Sequence, residues 1–201
     1  SEELASGAGA DDTDDLQARA ALYDGLGRCQ AAVGLLVEAQ HSVQVAFRLY
    51  VDVGDMNAAI AIAKYPLNVY YLGGELLPFL EQALEHVPPE SLDAGWLLSR
   101  HGSALADGGK DYDRAQESLK ASLAIAQREN DVDLISWTYG RMGFTDFLYN
   151  HLESSLKNAR RALEALGSSD HPFARTHSHI VAAWSAIHLG QRFIENRINE
   201  H

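Results

Sequence analysis

WLLSRHGSALADGGKDYDRAQESLKASLAIAQREND, the stretch from Trp96 to Asp131, indicates the fold more clearly than any other part of the chain. Its apolar residues recur at spacings of three and four, the period of an amphipathic α-helix. Gly108-Gly109 interrupts this pattern and Asp111 follows as a plausible N-cap, so the stretch predicts two helices joined by a short turn. Gly102 in the first helix and Ala115 in the second are small enough to let the two backbones approach closely.

The same arrangement recurs along the chain at a nearly constant interval. A small residue followed by a large apolar one marks the second helix of four successive units, and the intervals between these pairs are 37, 39 and 40 residues. The pairs are Ala46-Phe47, Ala83-Leu84, Ser122-Leu123 and Ala162-Leu163. Four such pairs predict an array of stacked helix pairs.

The repeat divides the chain into a leader and five units. Residues 1–14 are rich in Gly, Ala, Ser and Asp, which favours a flexible leader. Residues 15–201 are expected to form a single repeat domain, with units at about 15–55, 56–90, 91–130, 131–169 and 170–201. The last unit stops within its expected second helix, which is typical of a fragment of a longer protein.

The residues inside the units resemble the tetratricopeptide (TPR) pattern of a large residue, Leu-Gly, and then small residues on the next helix. In the fourth unit, for example, Tyr139, Met142 and Gly143 precede Ser155 and Ala159. The long period and the ending Arg128–Asp131 are similar to the repeat region of bacterial LuxR/MalT-type regulators and their cyclase-linked relatives. The resemblance implies an all-α fold, a right-handed superhelix of antiparallel helix pairs with about four and a half repeats. In that family the repeats bind an effector or a partner protein and gate an ATPase module. We identify neither an ATPase module nor a helix-turn-helix in this chain.

Charge and cysteine content limit the classes of function. The chain has 16 Lys and Arg against 28 Asp and Glu, a formal net charge of −12, which disfavours direct binding of nucleic acid. Cys29 is the only cysteine, so we expect a reducing, cytoplasmic setting; because it lies in an apolar run, we expect a buried thiol. No apolar run reaches the ~18 residues that a membrane span requires, so no membrane association is expected.

The resemblance also implies where a partner would bind. In a superhelix of this kind the first helices of the pairs line a concave groove. The positions carried over to this groove are Arg28, Tyr65, Asn68, Trp96, Ser99, Ser103, Trp137, Phe144, Phe147, His177, Trp184 and His188. They include all three tryptophans, and an aromatic groove suits a peptide or a small amphipathic ligand. The alternative is that these rings simply pack between repeats.

No motif for catalysis, metal binding or cofactor binding is found. His177 and His179 are two residues apart and would point to different faces of a helix, so they do not predict a metal site. Gly108-Gly109-Lys110 is not a phosphate loop, because Ala104 and Asp111 stand where the motif needs Gly and Ser or Thr.

The sequence therefore predicts a binding module without cofactor, whose partner is a protein or peptide, or a small effector. Two alternatives stay open. The first is a structural scaffold that self-associates through its incomplete end repeats. The second is an enzyme whose site is assembled from residues distant in sequence.

Overall fold

The computed structural model describes residues 3–65, 73–109, 111–167 and 172–199, and every regular element in these ranges is helical. Residues 67–72, where the apolar alternation is the most strand-like in the sequence, lie outside the described residues. The helices are α1 Glu3–Ala32, α2 Leu36–Asp52, α3 Met56–Ala63, α4 Gly73–Glu85, α5 Leu92–Ala104, α6 Tyr112–Glu129, α7 Val132–Leu148, α8 Leu152–Leu166 and α9 Pro172–Asn199. A π-helical turn, Leu105–Gly109, extends α5. The all-α prediction is confirmed for this part of the chain.

Local sequence signals set the beginnings and ends of these helices. The predicted N-cap Asp111 is confirmed, since its Oδ1 accepts the N–H of Arg114 at 3.1 Å at the start of α6. Ser91 caps α5 in the same way, with its Oγ accepting the N–H of Ala94 at 3.1 Å. Asp55 and Asp131 cap α3 and α7 in the same way. At the C-terminal ends, positive φ angles occur at Gly54 after α2, at Gly167 after α8 and at Asn130 after α6.

The chain divides into two compact units, Ser1–Leu72 with Pro78–Val87 and Gly73–Leu77 with Pro88–His201. In the first unit, α2 packs against α1 and α3. Its fully buried Ala46 and Phe47 lie on this inner face, and the ring of Phe47 meets that of Phe79 edge-on at 4.9 Å. The small-then-large pair is therefore a core feature here, as the repeat pattern predicts.

In the second unit, α7 is the central helix and packs against α5, α6, α8 and α9. Gly102 of α5 lies next to Ala115 of α6, whereas the carbonyl of Gly95, earlier in α5, accepts a hydrogen bond from Ser122, later in α6. This order shows that α5 and α6 are antiparallel. A second glycine, Gly143 of α7, lies against the backbone of α8.

Three local predictions differ from the structure. Helix α1 begins at Glu3, so its backbone covers most of residues 1–14, where a leader was expected. Helix α9 runs unbroken to Asn199, whereas an incomplete helix pair was expected at 170–201. Cys29 is exposed, because it lies two residues, or about 200°, around α1 from Gly27, which faces α2.

Candidate functional site

The second unit brings most of the predicted groove residues together in one row of rings, which we call the aromatic row. It crosses from α5 through α7 to α9. Its members are Trp96, Trp137, Phe144, Phe147, His177, Trp184 and His188. The ring contacts fall into two groups: one contains Trp96, Trp137, Phe144 and His177, and the other contains Phe147, Trp184 and His188.

The inner part of the aromatic row is buried. The ring centroid of Trp137 lies 6.2 Å from that of Trp96 and 6.5 Å from that of His177, and the ring of Phe144 lies 5.8 Å from that of His177. Trp137 is only 3% exposed, and Phe144 and His177 are also buried. Burial of this degree favours packing between helices, the alternative interpretation, for these three rings.

The outer part of the aromatic row is open to solvent. Phe147, half-buried near the end of α7, lies 5.6 Å from Trp184 and 5.2 Å from His188 of α9. Trp184 is 43% exposed, and His188 is also exposed. Trp184 therefore marks the accessible end of the aromatic row.

Two buried guanidinium groups lie beside the aromatic row. Arg141 lies over the ring of Trp137, with 4.5 Å from Cζ to the ring centroid, a cation–π geometry. The pKa of Arg100 is lowered to about 9, mainly by burial and to a smaller extent by the charge of Arg141. The same two causes, burial first, lower the pKa of His177 to about 3, so this imidazole is neutral near pH 7. Asp107 adds a carboxyl group to this region. Burial raises its pKa to about 6, while the positive charge of Arg141 acts to lower it.

The serines predicted in the groove have structural contacts. Ser99 is fully buried, and its Oγ accepts a hydrogen bond from Thr138 at 3.3 Å. Thr138 in turn contacts the hydroxyl of Ser122 at 3.0 Å, so the three hydroxyls link α5, α6 and α7. Ser103 is half-buried and donates to the carbonyl of Ser99 one turn earlier. Ser99 is therefore not on an open surface.

Two predicted groove residues, Arg28 and Tyr65, belong to the first unit. The guanidinium of Arg28 lies over the ring of Tyr65, 4.8 Å from its centroid. Arg28 also donates to Asp24 at 2.6 Å, and this hydrogen bond is the main reason that the pKa of Arg28 is raised. Asn68 lies outside the described residues.

The structure also shows a polar cluster, centred on Asp146, that sequence reasoning missed. Asp146 is 2% exposed and accepts three hydrogen bonds. Its Oδ1 accepts from Tyr112 Oη at 2.8 Å and from Gln116 Nε2 at 3.0 Å, and its Oδ2 accepts from Asn158 Nδ2 at 2.8 Å. Burial raises the pKa of Asp146, while the hydrogen bonds from Tyr112 and Asn158 oppose the shift. Burial and the bond to Asp146 raise the pKa of Tyr112 to about 12.

This cluster forms part of an open polar pocket of about 590 Å³ between α6, α7 and α8. Its lining carries both signs of charge, with Asp113 and Glu117 on α6 and Lys157 and Arg161 on α8. The pocket residues Met142 and Asp146 lie about 160° around α7 from Trp137 and Phe144, given 100° per residue. The polar pocket and the aromatic row therefore lie on opposite faces of α7. A sequence signal exists only in retrospect: Asp146 is a carboxylate in an otherwise apolar run.

No protein-family model matches the chain, and searches of curated proteins and of solved structures return no match. In the ranges that the structure describes, no group of three or more His, Cys, Asp or Glu side chains is arranged to hold a metal ion. Among the same residues, no helix is both long and apolar enough to cross a membrane.

Proposed function

We propose that this chain is a TPR-like binding module, a right-handed superhelix of helix pairs, that recognises a peptide segment of a partner protein. The close approaches support the TPR-like repeat. A Cβ added at Gly27, Gly102 or Gly143 would lie 3.3, 2.8 and 3.1 Å, respectively, from a carbonyl oxygen of the following helix. Three units thus place a glycine at the same kind of helix crossing, as the repeat pattern requires.

The observation that carries the proposed binding function is the open end of the aromatic row. Trp184 and Phe147 present a partly exposed aromatic pair, and the buried rings behind them hold α7 and α9 in place. Aromatic side chains of this kind supply large contact area at low cost in conformational entropy, and they dominate peptide interfaces. A large apolar side chain of the peptide would pack on Trp184 beside Phe147.

A peptide selection tests this function. Random peptides displayed on phage are selected on the wild-type chain, and the enriched peptides are then bound to Trp184→Ala. We expect Trp184→Ala to lose them and Val132→Ala to retain them, because Val132 is exposed to a similar degree, 44%, but lies outside the aromatic row. Enriched peptides that bind Trp184→Ala as well as wild type would remove the aromatic row as the binding site.

The polar pocket favours a second ligand class, a small polar effector. Its volume is within the range of small-molecule sites, and its lining offers both carboxylates and cations. A thermal-shift screen of amino acids and dipeptides tests this role. A compound that stabilises the wild type but not Lys157→Ala would support it, and the absence of any stabilising compound would count against it.

The parent protein that we propose is a cytoplasmic bacterial regulator of the LuxR/MalT type. This proposal rests on the long repeat period and on the residues from Trp96 to Asp131. The acidic surface fits a module that does not itself contact nucleic acid. An ATPase module upstream of the repeats in the complete reading frame would support the assignment, and a reading frame without one would contradict it.

A further inference from the structure

The two walls of the polar pocket, α6 and α8, run in the same direction. Helix α6 is antiparallel to α7, because Gln116 early in α6 donates to Asp146 late in α7, whereas Ser122 farther along α6 contacts the middle of α7. Helix α8 is antiparallel to α7 as well, because Ser155 near its beginning donates to the carbonyl of Gly143, and its later part contacts the early part of α7. Two helices that are both antiparallel to α7 are parallel to each other.

Asp146 at the floor of the polar pocket marks a common level on the two walls. Gln116 of α6 and Asn158 of α8 both donate to this carboxylate, so they lie opposite each other. Because an α-helix rises about 1.5 Å per residue, the height of every other lining residue follows from its separation in sequence from Gln116 or Asn158.

The charged residues of the lining are ordered along the pocket. Asp113 lies about 4.5 Å from the common level, toward the N-terminal ends of the two walls. Lys120 and Arg161, on opposite walls, lie about 6 and 4.5 Å from that level, toward the C-terminal ends. Glu117 and Lys157 lie near the middle, with opposite charges on opposite walls. The pocket therefore has an acidic end at Asp113 and a basic end at Lys120 and Arg161, about 10 Å apart.

The floor between the two ends offers hydrogen-bonding groups that match a peptide backbone. Gln116 and Asn158 are buried, and Asp146 holds both side-chain amides in place. A carboxamide has two N–H donors and an oxygen acceptor, and Asp146 accepts one donor from each. A peptide group carries one donor and one acceptor, which is the same chemistry.

The separation of the two ends sets the length of a matching ligand. A ligand that reaches both ends needs an ammonium group and a carboxylate about 10 Å apart. In a free amino acid the two groups are attached to the same carbon, so it is too short. An extended chain spans at most about 3.3–3.6 Å per residue, so three residues span about 10 Å. The pocket volume of about 590 Å³ also leaves room for side chains.

We propose that the polar pocket binds an extended tripeptide, with its ammonium group at Asp113 and its terminal carboxylate between Lys120 and Arg161. This inference rests on the effector role of the polar pocket proposed above, and it adds the class of ligand and its direction. Both ends of the ligand must be charged, so an internal segment of a protein chain is not a ligand of this pocket.

Calorimetric titration with trialanine, dialanine and alanine tests the length. The three compounds carry the same charged groups at increasing separation. We expect trialanine to bind most tightly and alanine to bind at least about tenfold more weakly, because alanine reaches only one end of the pocket. Each compound is added up to the millimolar range.

Two variants and two blocked ligands test the direction. Asp113→Asn is expected to weaken trialanine about three- to tenfold, and to cause no further loss with N-acetyl-trialanine, which has no ammonium group. Arg161→Gln is expected to weaken trialanine to a similar extent, and to cause no further loss with trialanine amide, which has no carboxylate. Arg160→Gln is the matched control, an exposed arginine next in sequence to Arg161 that does not line the pocket.

Three results would overturn the proposal. The first is trialanine that fails to bind while another small polar compound stabilises the protein, a result that leaves the effector role of the pocket standing. The second is a reversed pattern, in which Asp113→Asn causes no further loss with trialanine amide and Arg161→Gln none with N-acetyl-trialanine. The third is an equal loss of trialanine binding in Arg160→Gln and Arg161→Gln. If no compound of any kind binds, the effector role fails together with this inference.

Discussion

Gly102 of α5 lies so close to the backbone of Ala115 in α6 that no methyl group fits between them. A Cβ at Gly102 would lie 2.8 Å from the carbonyl oxygen of Ala115 and 2.7 Å from Cγ of Leu119. Both distances are shorter than any normal contact of a Cβ atom. The crossing of α5 and α6 thus depends on the missing side chain.

We expect Gly102→Ala to lower the free energy of unfolding by about 1–3 kcal/mol, the usual cost of overpacking a core. The matched control is Gly190→Ala in α9, where a Cβ would meet nothing within 4 Å. There the substitution is expected to be neutral or to stabilise by up to about 1 kcal/mol, because alanine favours the helix. Urea denaturation measures both, and equal effects at the two sites would contradict the close approach.

This glycine shows which parts of the fold could be predicted from the sequence. The positions of Gly102, Ala115 and Ser122 are fixed by the helical period, so the pairing of α5 with α6 follows from local pattern. The course of α9 was not predictable in this way: an incomplete helix pair was expected at 170–201, whereas one helix runs to Asn199. The preference of Gly190 against the helical conformation is weak, so α9 continues through this residue.

The candidate site was predictable only in part, for a physical reason. The resemblance to the TPR pattern assigns Trp137 and Trp184 to the same side of successive first helices, and in the structure both rings contact aromatic side chains of the neighbouring helix. The exposed fraction of each ring depends on the neighbouring helices, and the spacing of residues within one helix carries no information about those neighbours. The Asp146 cluster joins residues 12 to 34 positions apart, and no local pattern specifies such a network.

Loss of the Asp146 carboxylate should destabilise the second unit. Asp146→Ala leaves the buried amides of Gln116 and Asn158 without their acceptor, and we expect a loss of roughly 3 kcal/mol in the free energy of unfolding. Asp113→Ala, an exposed carboxylate of the same pocket, is expected to change it by less than about 0.5 kcal/mol. Chemical denaturation measures both variants, and a similar small effect of the two would show that the three hydrogen bonds contribute little.

His177 should make the fold less stable in acid. Its folded pKa of about 3 lies below its ordinary value of 6.5, so the unfolded chain takes up a proton that the folded chain does not. The free energy of unfolding is therefore unaffected by this group above about pH 6.5 and falls as the pH drops toward 3. At pH 5 the loss is about 2 kcal/mol.

The measurement compares the wild type with His177→Gln at pH 7 and pH 5. Because Asp107 and Asp146 have raised pKa values, they act in the opposite sense, and the comparison between the two proteins removes their contribution. We expect the wild type to lose about 2 kcal/mol more than the variant between the two pH values. An equal loss in both proteins would mean that His177 is not buried as a neutral group.

Trp137 and Trp184 should differ in what their removal costs. Trp137→Ala opens a cavity in the core and is expected to lower the free energy of unfolding by about 3–5 kcal/mol. Trp184→Ala removes a side chain that is 43% exposed, and we expect a clearly smaller loss. Thermal unfolding monitored by circular dichroism compares the two, and a larger loss for Trp184→Ala would show that the open end of the aromatic row is misassigned.

Calorimetric titration of the tightest peptide from the selection tests the proposed binding function most directly. The wild type, Trp184→Ala and Val132→Ala are titrated under the same conditions. If Trp184 is a principal contact, Trp184→Ala should raise the dissociation constant at least about tenfold, and Val132→Ala should leave it unchanged. A Trp184→Ala variant that stays folded and binds the peptide as tightly as the wild type would contradict the account.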